Sequence, residues 1–203
     1  MIAVIDYGVG NLFSVEKAFQ VLGAEPVVTS DEAFIRAADK LVLPGVGAFG
    51  DCVRNFAASG LIPVFREKVR AGVPVLGICV GLQILFDGSE ESPGVEGLGL
   101  LPGTVRRIPA PGLKIPHMGW NSLTIARSRD RAGLFNDLPE ESYVYFVHSY
   151  HAVPQDESCV VASTDYGGRL TAAVAKGNLM ATQFHPEKSG DVGLTILENF
   201  IRI

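Results

Sequence analysis

At 203 residues, with 47% hydrophobic and only 19% charged content, the chain is sized for one domain with a substantial buried core. A formal charge of −5 and a pI near 5.4 speak against a nucleic-acid-binding surface, and the longest basic cluster, Arg127-Ser128-Arg129-Asp130-Arg131, is broken by an acid. No apolar run reaches membrane-spanning length, the N-terminus opens on strand-like Ile2-Ala3-Val4-Ile5, and three widely spaced cysteines make no disulfide framework; a reducing cytoplasm is therefore the expected setting.

The first half alternates strand and helix patterns. Ile2–Asp6 reads as a buried strand, and Asn11–Leu22 carries Leu12, Val15, Phe19 and Leu22 at helical spacing before closing at Gly23. Pro26–Thr29 and Lys40–Leu43 are further strands, the latter running into Pro44-Gly45-Val46-Gly47. Two helices, Phe49–Ala58 and Leu61–Ala71, precede a strand at Val73–Gly77, and Leu82–Phe86 reads as the start of another helix. This βαβ alternation predicts a parallel sheet covered by helices on both faces. Beyond a long loop at Gly88–Gly103, short strand candidates follow at Thr104–Ile108, Asn121–Ala126, Ser142–Val147, Cys159–Thr164, Leu170–Ala175 and Leu179–Phe184. They predict mixed or antiparallel strands added to the parallel core. Asp191–Ile201 closes the chain as a helix with Asp191 as its N-cap, and nothing divides residues 1–203 into separate domains.

The chemistry concentrates at Gly77-Ile78-Cys79-Val80-Gly81. A nucleophile between two glycines, directly after a buried strand and before a helix, is the pattern of a nucleophile elbow, here with cysteine in place of serine. The turn exposes the thiol at a helix N-terminus, where the dipole favours the thiolate. Cys52 and Cys159 lack such flanks and read as packing residues. Among the four histidines, His185 follows a strand, is restrained by Pro186, and has Glu187 two residues on to orient its imidazole. His148 and His151, three apart on an extended segment, tend toward opposite faces and suit walls better than a metal site, and His117 has no acid partner in the sequence. No Cys/His spacing suits a metal. Gly45, Gly47 and Gly50 match a G-x-G-x-x-G pattern, but they follow the third strand, whereas a dinucleotide fingerprint belongs to the first βα turn. In that first turn, Gly8-Val9-Gly10-Asn11-Leu12-Phe13, Phe13 stands where the third glycine belongs. The Gly45–Gly47 loop is better used as an oxyanion hole, with the Val80 N–H as a second donor.

With these parts in place, the chain resembles the class I glutamine amidotransferases, whose Cys, His and Glu stand in the pattern G-x-C-x-G … H-P-E. The resemblance spans the full length. Asp6-Tyr7-Gly8-Val9-Gly10-Asn11-Leu12, Pro44-Gly45-Val46-Gly47-Ala48-Phe49, Pro116-His117-Met118-Gly119-Trp120-Asn121 and His185-Pro186-Glu187-Lys188-Ser189-Gly190 look most like the glutaminase branch that serves imidazole glycerol phosphate synthase. Val80 and Leu82 stand where relatives often carry Leu and Met, and both remain apolar.

The resemblance implies an α/β, flavodoxin-like fold with a central mixed, mostly parallel sheet flanked by helices and additional antiparallel strands in the second half. It implies hydrolysis of L-glutamine through a Cys79 thioester, with His185 as acid and base and Glu187 orienting it. Val46, Gly47 and Val80 would form the oxyanion hole, the Val46 peptide turning first between its flanking glycines. Gly45, Gln83 and the main chain of His148, Ser149 and Tyr150 would hold glutamine. No cofactor is implied. The chain has no phosphate loop or basic cradle for an acceptor, which fits the family's arrangement. There a (β/α)₈ cyclase subunit takes the ammonia through a channel and makes imidazole glycerol phosphate and the aminoimidazole carboxamide ribotide for histidine biosynthesis. Asn11, Phe13, Trp120 and Lys188 are the expected contact face, against the alternative that Trp120 is core and Lys188 merely exposed. Glutaminase service to another pathway (anthranilate or pyridoxal phosphate), a catalytically silent binding module, and dinucleotide binding are the competing readings.

Overall fold

The computed structural model describes residues 1–203. The first half runs β1 (Ile2–Ile5), α1 (Leu12–Val21), β2 (Pro26–Thr29), α2 (Glu32–Ala37), β3 (Lys40–Gly45), α3 (Phe49–Ala58), α4 (Ile62–Arg70), β4 (Val75–Cys79) and the four-residue α5 (Val80–Gln83). The second half runs β5 (Gly88–Ser89), β6 (Gly103–Arg107), β7 (His117–Ser122), β8 (Thr124–Ile125), β9 (Tyr143–His148), β10 (Tyr150–Pro154), β11 (Val160–Asp165), β12 (Arg169–Lys176), β13 (Leu179–Thr182) and α6 (Gly190–Arg202).

One eight-stranded sheet in the order β2-β1-β3-β4-β13-β12-β11-β8 forms the centre. Its first five strands are parallel; from β12 outward the pairing is antiparallel. The central strands are apolar but for Thr182 at the end of β13, as burial on both faces requires: every residue of β1, β4 and β13 is buried. A single cluster of 51 buried residues joins this sheet to its helices. β3 pairs with β4 in a register that sets Gly45 opposite Cys79, and β13 pairs with the other edge of β4, so both loops that carry chemistry leave the sheet beside the elbow. That is the carboxyl edge of a parallel sheet, where ligands bind in open α/β folds. Two small sheets, β10-β6-β5 and β7-β9, complete the molecule.

Several expectations give way to local detail. α2 escapes periodicity because its six residues bury only Ile35, although Asp31 caps it by accepting from the Ala33 N–H at 2.8 Å. The expected strand Asn121–Ala126 is two strands, β7 ending at Ser122 and β8 joining the edge of the large sheet. β10 was not legible because the chain changes sheets at Ser149: β9 pairs with β7, and β10 with β6. The helix after the elbow ends at Gln83. α6 begins at Gly190 and places Asp191 inside its first turn, not at its N-cap. Ser189 holds that position, but its hydroxyl is committed elsewhere, donating to the His185 carbonyl at 2.6 Å and accepting from the Tyr145 N–H at 3.0 Å. The Gly88–Gly103 loop also has a structural role. Ala48 cannot cap α3, and Glu91 and Ser92 instead accept from the Phe49 and Gly50 amides at 2.8 and 3.1 Å.

Candidate active site

Cys79 ends β4 with φ 57° and ψ −112°, a left-handed conformation that a side-chain-bearing residue adopts only when its surroundings enforce it. The enforcement comes from the flanking glycines. A Cβ on Gly81 would collide with the Leu43 carbonyl of β3, and one on Gly77 would lie 3.0 Å from both the Ala181 Cβ and the Gly81 carbonyl oxygen. Only glycine lets β4 turn into α5 this close to its neighbours. The turn presents Cys79 beside the first amide of α5, that of Val80, which has no partner within the helix.

His185 leaves β13 with its N–H donating to the Tyr145 carbonyl at 3.0 Å. The 3₁₀ turn Pro186–Lys188 then folds Glu187 back, so that its Oε1 lies 2.8 Å from His185 Nδ1, with side-chain exposures of 2% and 1% for His185 and Glu187. Burial alone would lower the His185 pKa, but hydrogen bonding and charge from Cys79 and Glu187 outweigh it and raise the pKa to about 9. The imidazolium is thus the resting form at neutral pH, with Nδ1 held by the carboxylate.

The other histidines behave differently. Burial pushes His148 down to about 3, against a hydrogen bond from its Nδ1 to the Tyr150 carbonyl at 2.9 Å. Its Nε2 lies 2.9 Å from His117 Nδ1, and His117 is stacked between Phe146 and Tyr166, with burial lowering its pKa too. His151 faces a separate pocket, and burial lowers its pKa as well. Only His185 is held charged.

Cys79 and His185 open onto a cleft of about 310 Å³, which also takes in Val46, Gly47, Val80, Gln83, His148, Ser149, Tyr150 and Lys188. Gly45 does not line it; it lies behind, its α-carbon against the Gly81 amide, where a Cβ would come within 2.6 Å. The Val46 and Gly47 amides donate to no protein group, and both residues line the cleft that Cys79 opens onto. The Gln83 amide donates to the Tyr150 carbonyl at 3.1 Å and to Gln183 Oε1 at 3.0 Å.

Two residues escaped the sequence reading. Glu91 lines the cleft and sets the only carboxylate in its wall, held by the Phe49 amide. Gln183 orients Gln83 and approaches Cys79 Sγ at 3.9 Å. Gln183 lies two residues before His185 but past the end of β13, where the chain bends and Gln183, Phe184 and His185 are all buried, so no alternation marks it; Glu91, in a loop, has no pattern either.

Among the expected contact residues, Asn11 caps α1 by accepting from the Ser14 N–H at 3.4 Å. Phe13 is 68% and Trp120 56% exposed, so Trp120 is not a core residue. Phe13 lines a groove between α1 and α6 together with Pro186, Glu187 and Gly190, and the Trp120 ring reaches the position of Gly190. Lys188 belongs to the cleft itself. No group of three or more His, Cys, Asp or Glu side chains is arranged to hold a metal ion, and no helix is long and apolar enough to cross a membrane.

A nucleophile at an elbow, a charged imidazole fixed by a buried carboxylate, and unpartnered amides in the wall of the same cleft can together transfer an acyl group. The model of the family "Glutamine amidotransferase class-I" matches residues 3–203. The chain is 53% identical over 203 residues to the imidazole glycerol phosphate synthase subunit HisH of Methanothermobacter thermautotrophicus, covering 100% of this chain and 98% of that protein. It is 52% identical to the HisH subunit of Syntrophotalea carbinolica, covering 98% of each. A crystal structure of a glutamine amidotransferase superposes with a TM-score of 0.75 at 21% identity, covering 98% of this chain and 99% of the other. The glutaminase domain of Trypanosoma brucei CTPS superposes with a TM-score of 0.65 at 20% identity, covering 99% and 93%. These last two establish the shared fold. The elbow, the buried His–Glu pair and full-length similarity on this scale lead to one conclusion: the chain belongs to the class I glutamine amidotransferase family, in the branch of the HisH subunits.

Proposed function

We propose that this chain hydrolyses L-glutamine at Cys79 and delivers the ammonia to a (β/α)₈ cyclase subunit, which uses it to make imidazole glycerol phosphate. The observation that carries the reading is that Cys79 and His185 open onto one cleft of about 310 Å³ while the buried Glu187 carboxylate holds His185 at Nδ1. Cys79 Sγ attacks the δ-carbonyl carbon of glutamine, and negative charge passes to the carbonyl oxygen. The Val46 and Val80 amides receive it; one such donor is worth roughly 2.7–4 kcal/mol of barrier. His185, protonated at rest, gives its proton to the leaving nitrogen, and ammonia departs from a γ-glutamyl thioester. Acylation removes the thiolate charge that helped to raise the His185 pKa, so the neutral imidazole becomes available to take a proton from water. Attack by that water then releases glutamate and restores the thiolate–imidazolium pair. Glu187 keeps Nε2 directed at the reacting atoms throughout. In the cleft wall, Glu91 meets the α-ammonium of glutamine, and the main chain of His148–Tyr150 lies along its backbone end.

The partner reading rests on the exposed Phe13 and Trp120 beside the back of the Glu187 turn, and on the printed names of the relatives, which are subunits of a synthase. The test uses the two-chain complex with Cys79→Ala. Glutamine-dependent synthesis is expected to vanish and synthesis from added ammonium to persist; loss of both would assign Cys79 a structural role. Activation of glutamine hydrolysis by an anthranilate or pyridoxal phosphate synthase subunit, and not by the cyclase, would move the chain to another pathway.

A further inference from the structure

Two buried side chains that the mechanism above leaves unused grip the segment Pro44–Gly47. Tyr7, just beyond β1, donates from Oη to the Pro44 carbonyl at 2.6 Å. Cys52, in the first turn of α3, donates from Sγ to the Val46 carbonyl at 3.3 Å. Both residues are buried, and the Tyr7 ring packs on Phe56 with centroids 4.9 Å apart. The two accepting carbonyls belong to the peptides immediately before and after the Gly45–Val46 peptide. That middle peptide carries the Val46 N–H, which donates to no protein group. The Tyr7 hydroxyl also lies 3.1 Å from the place a Gly45 Cβ would take, so it forms the floor under the same peptide.

We propose that Tyr7 and Cys52 are positioning residues of the glutaminase reaction. By pinning the carbonyls of Pro44 and Val46, they confine rotation to the Gly45–Val46 peptide and hold its N–H where it can meet the developing oxyanion. An oxyanion donor acts through its placement before the charge develops, so slack in the two flanking peptides would be felt as lost transition-state stabilisation. Both groups are suited to donate at any working pH. Burial, with Cys52 and Cys79 beside it, raises the Tyr7 pKa beyond the phenol range, and burial pushes the Cys52 thiol up to about 11. Cys52 thus stays a thiol and a donor.

The proposal rests on the glutaminase reading of Cys79, and the experiment separates the two. In the complex with the cyclase subunit, kcat and KM for glutamine are measured for Tyr7→Phe, Cys52→Ala and Cys52→Ser, normalised to Cys79 sites titrated by iodoacetamide. Tyr7→Phe keeps the ring on Phe56 and removes only the hydroxyl. Tyr7→Phe and Cys52→Ala are each expected to lower kcat about tenfold with KM within about twofold, the effect of one lost buried hydrogen bond felt in the transition state. The rate of Cys79 alkylation, which needs no oxyanion hole, stays at the wild-type value. Cys52→Ser, which keeps a donor, recovers kcat to within about twofold. Unchanged kcat in both deletion variants, or a fall in kcat matched by an equal fall in alkylation rate, would overturn the positioning role. Absence of glutamine hydrolysis by the wild-type complex would instead overturn the glutaminase reading beneath it.

Discussion

Gly81→Ala tests the elbow at its most constrained point. A Cβ there falls more than 1 Å inside the 3.0 Å closest approach of real Cβ atoms, and the atom it meets is the Leu43 carbonyl oxygen. That oxygen is main chain in a central strand, locked by the pairing of β3 with β4, so it cannot rotate aside as a side chain would. Either β3 shifts or α5 lifts, and both move Cys79 relative to Val46. Over-packing of this kind costs about 1–3 kcal/mol or more, and a displacement of about 1 Å between reacting groups costs about 10²-fold in rate. Gly47→Ala is the control. Gly47 has φ +87° with nothing within 4 Å of a built Cβ, so it meets only the left-handed penalty of about 1–2 kcal/mol. Urea unfolding and glutamine turnover in the complex measure the two effects. Gly81→Ala is expected to lose at least as much stability as Gly47→Ala and about a hundredfold in kcat. A Gly81→Ala protein within about 0.5 kcal/mol of wild type in stability, with wild-type kcat, would refute the steric account of the elbow.

Glu187→Gln keeps the shape of the pair but removes the charge, so burial gains on the remaining causes and the His185 pKa falls below about 9; the imidazole C–H resonances followed by NMR against pH report the midpoint, and kcat is expected to drop by about 10⁴. Glu91→Gln retains an oxygen for the Phe49 amide but loses the charge facing the cleft; glutamine KM is expected to rise tenfold or more with kcat little changed, and an unchanged KM would remove Glu91 from substrate binding. Stability should peak near pH 6.5. His185, raised to about 9, contributes stability that is complete below about pH 6.5 and lost as pH climbs through 9, whereas His148, lowered to about 3, with His117 and His151 also lowered, contributes stability that is lost as pH falls below about 6.5. Chemical denaturation across pH 4–10 checks this, and in His185→Gln the alkaline decline attributable to this residue should disappear.

Sequence alone determined the parts of this protein whose cause is local. The central strands are written as unbroken apolar runs because they are buried on both faces, and α1 and α3 as helical periodicity because each buries one side. The elbow is legible for the same reason: a strand that turns at Cys79 between crowded neighbours needs glycine at 77 and 81, so the constraint is spelled in adjacent letters. His185 and Glu187 are likewise two residues apart, joined by one 3₁₀ turn. What tertiary structure decided is everything whose partners are distant in the chain. The split at Ser149 depends on which sheet each strand finds, β9 pairing with β7 and β10 with β6. Glu91 reaches the cleft only because α3 lacks a cap of its own 42 residues earlier in the chain. The four histidines are chemically identical in sequence; burial and neighbours alone make His185 a cation and His148, His117 and His151 neutral. Cys52 reads as a packing residue and Tyr7 only as part of the opening motif until their hydrogens are traced to the two carbonyls around Gly45. Periodicity reports which face a side chain buries, whereas hydrogen-bond partners and desolvation are set by the assembled fold.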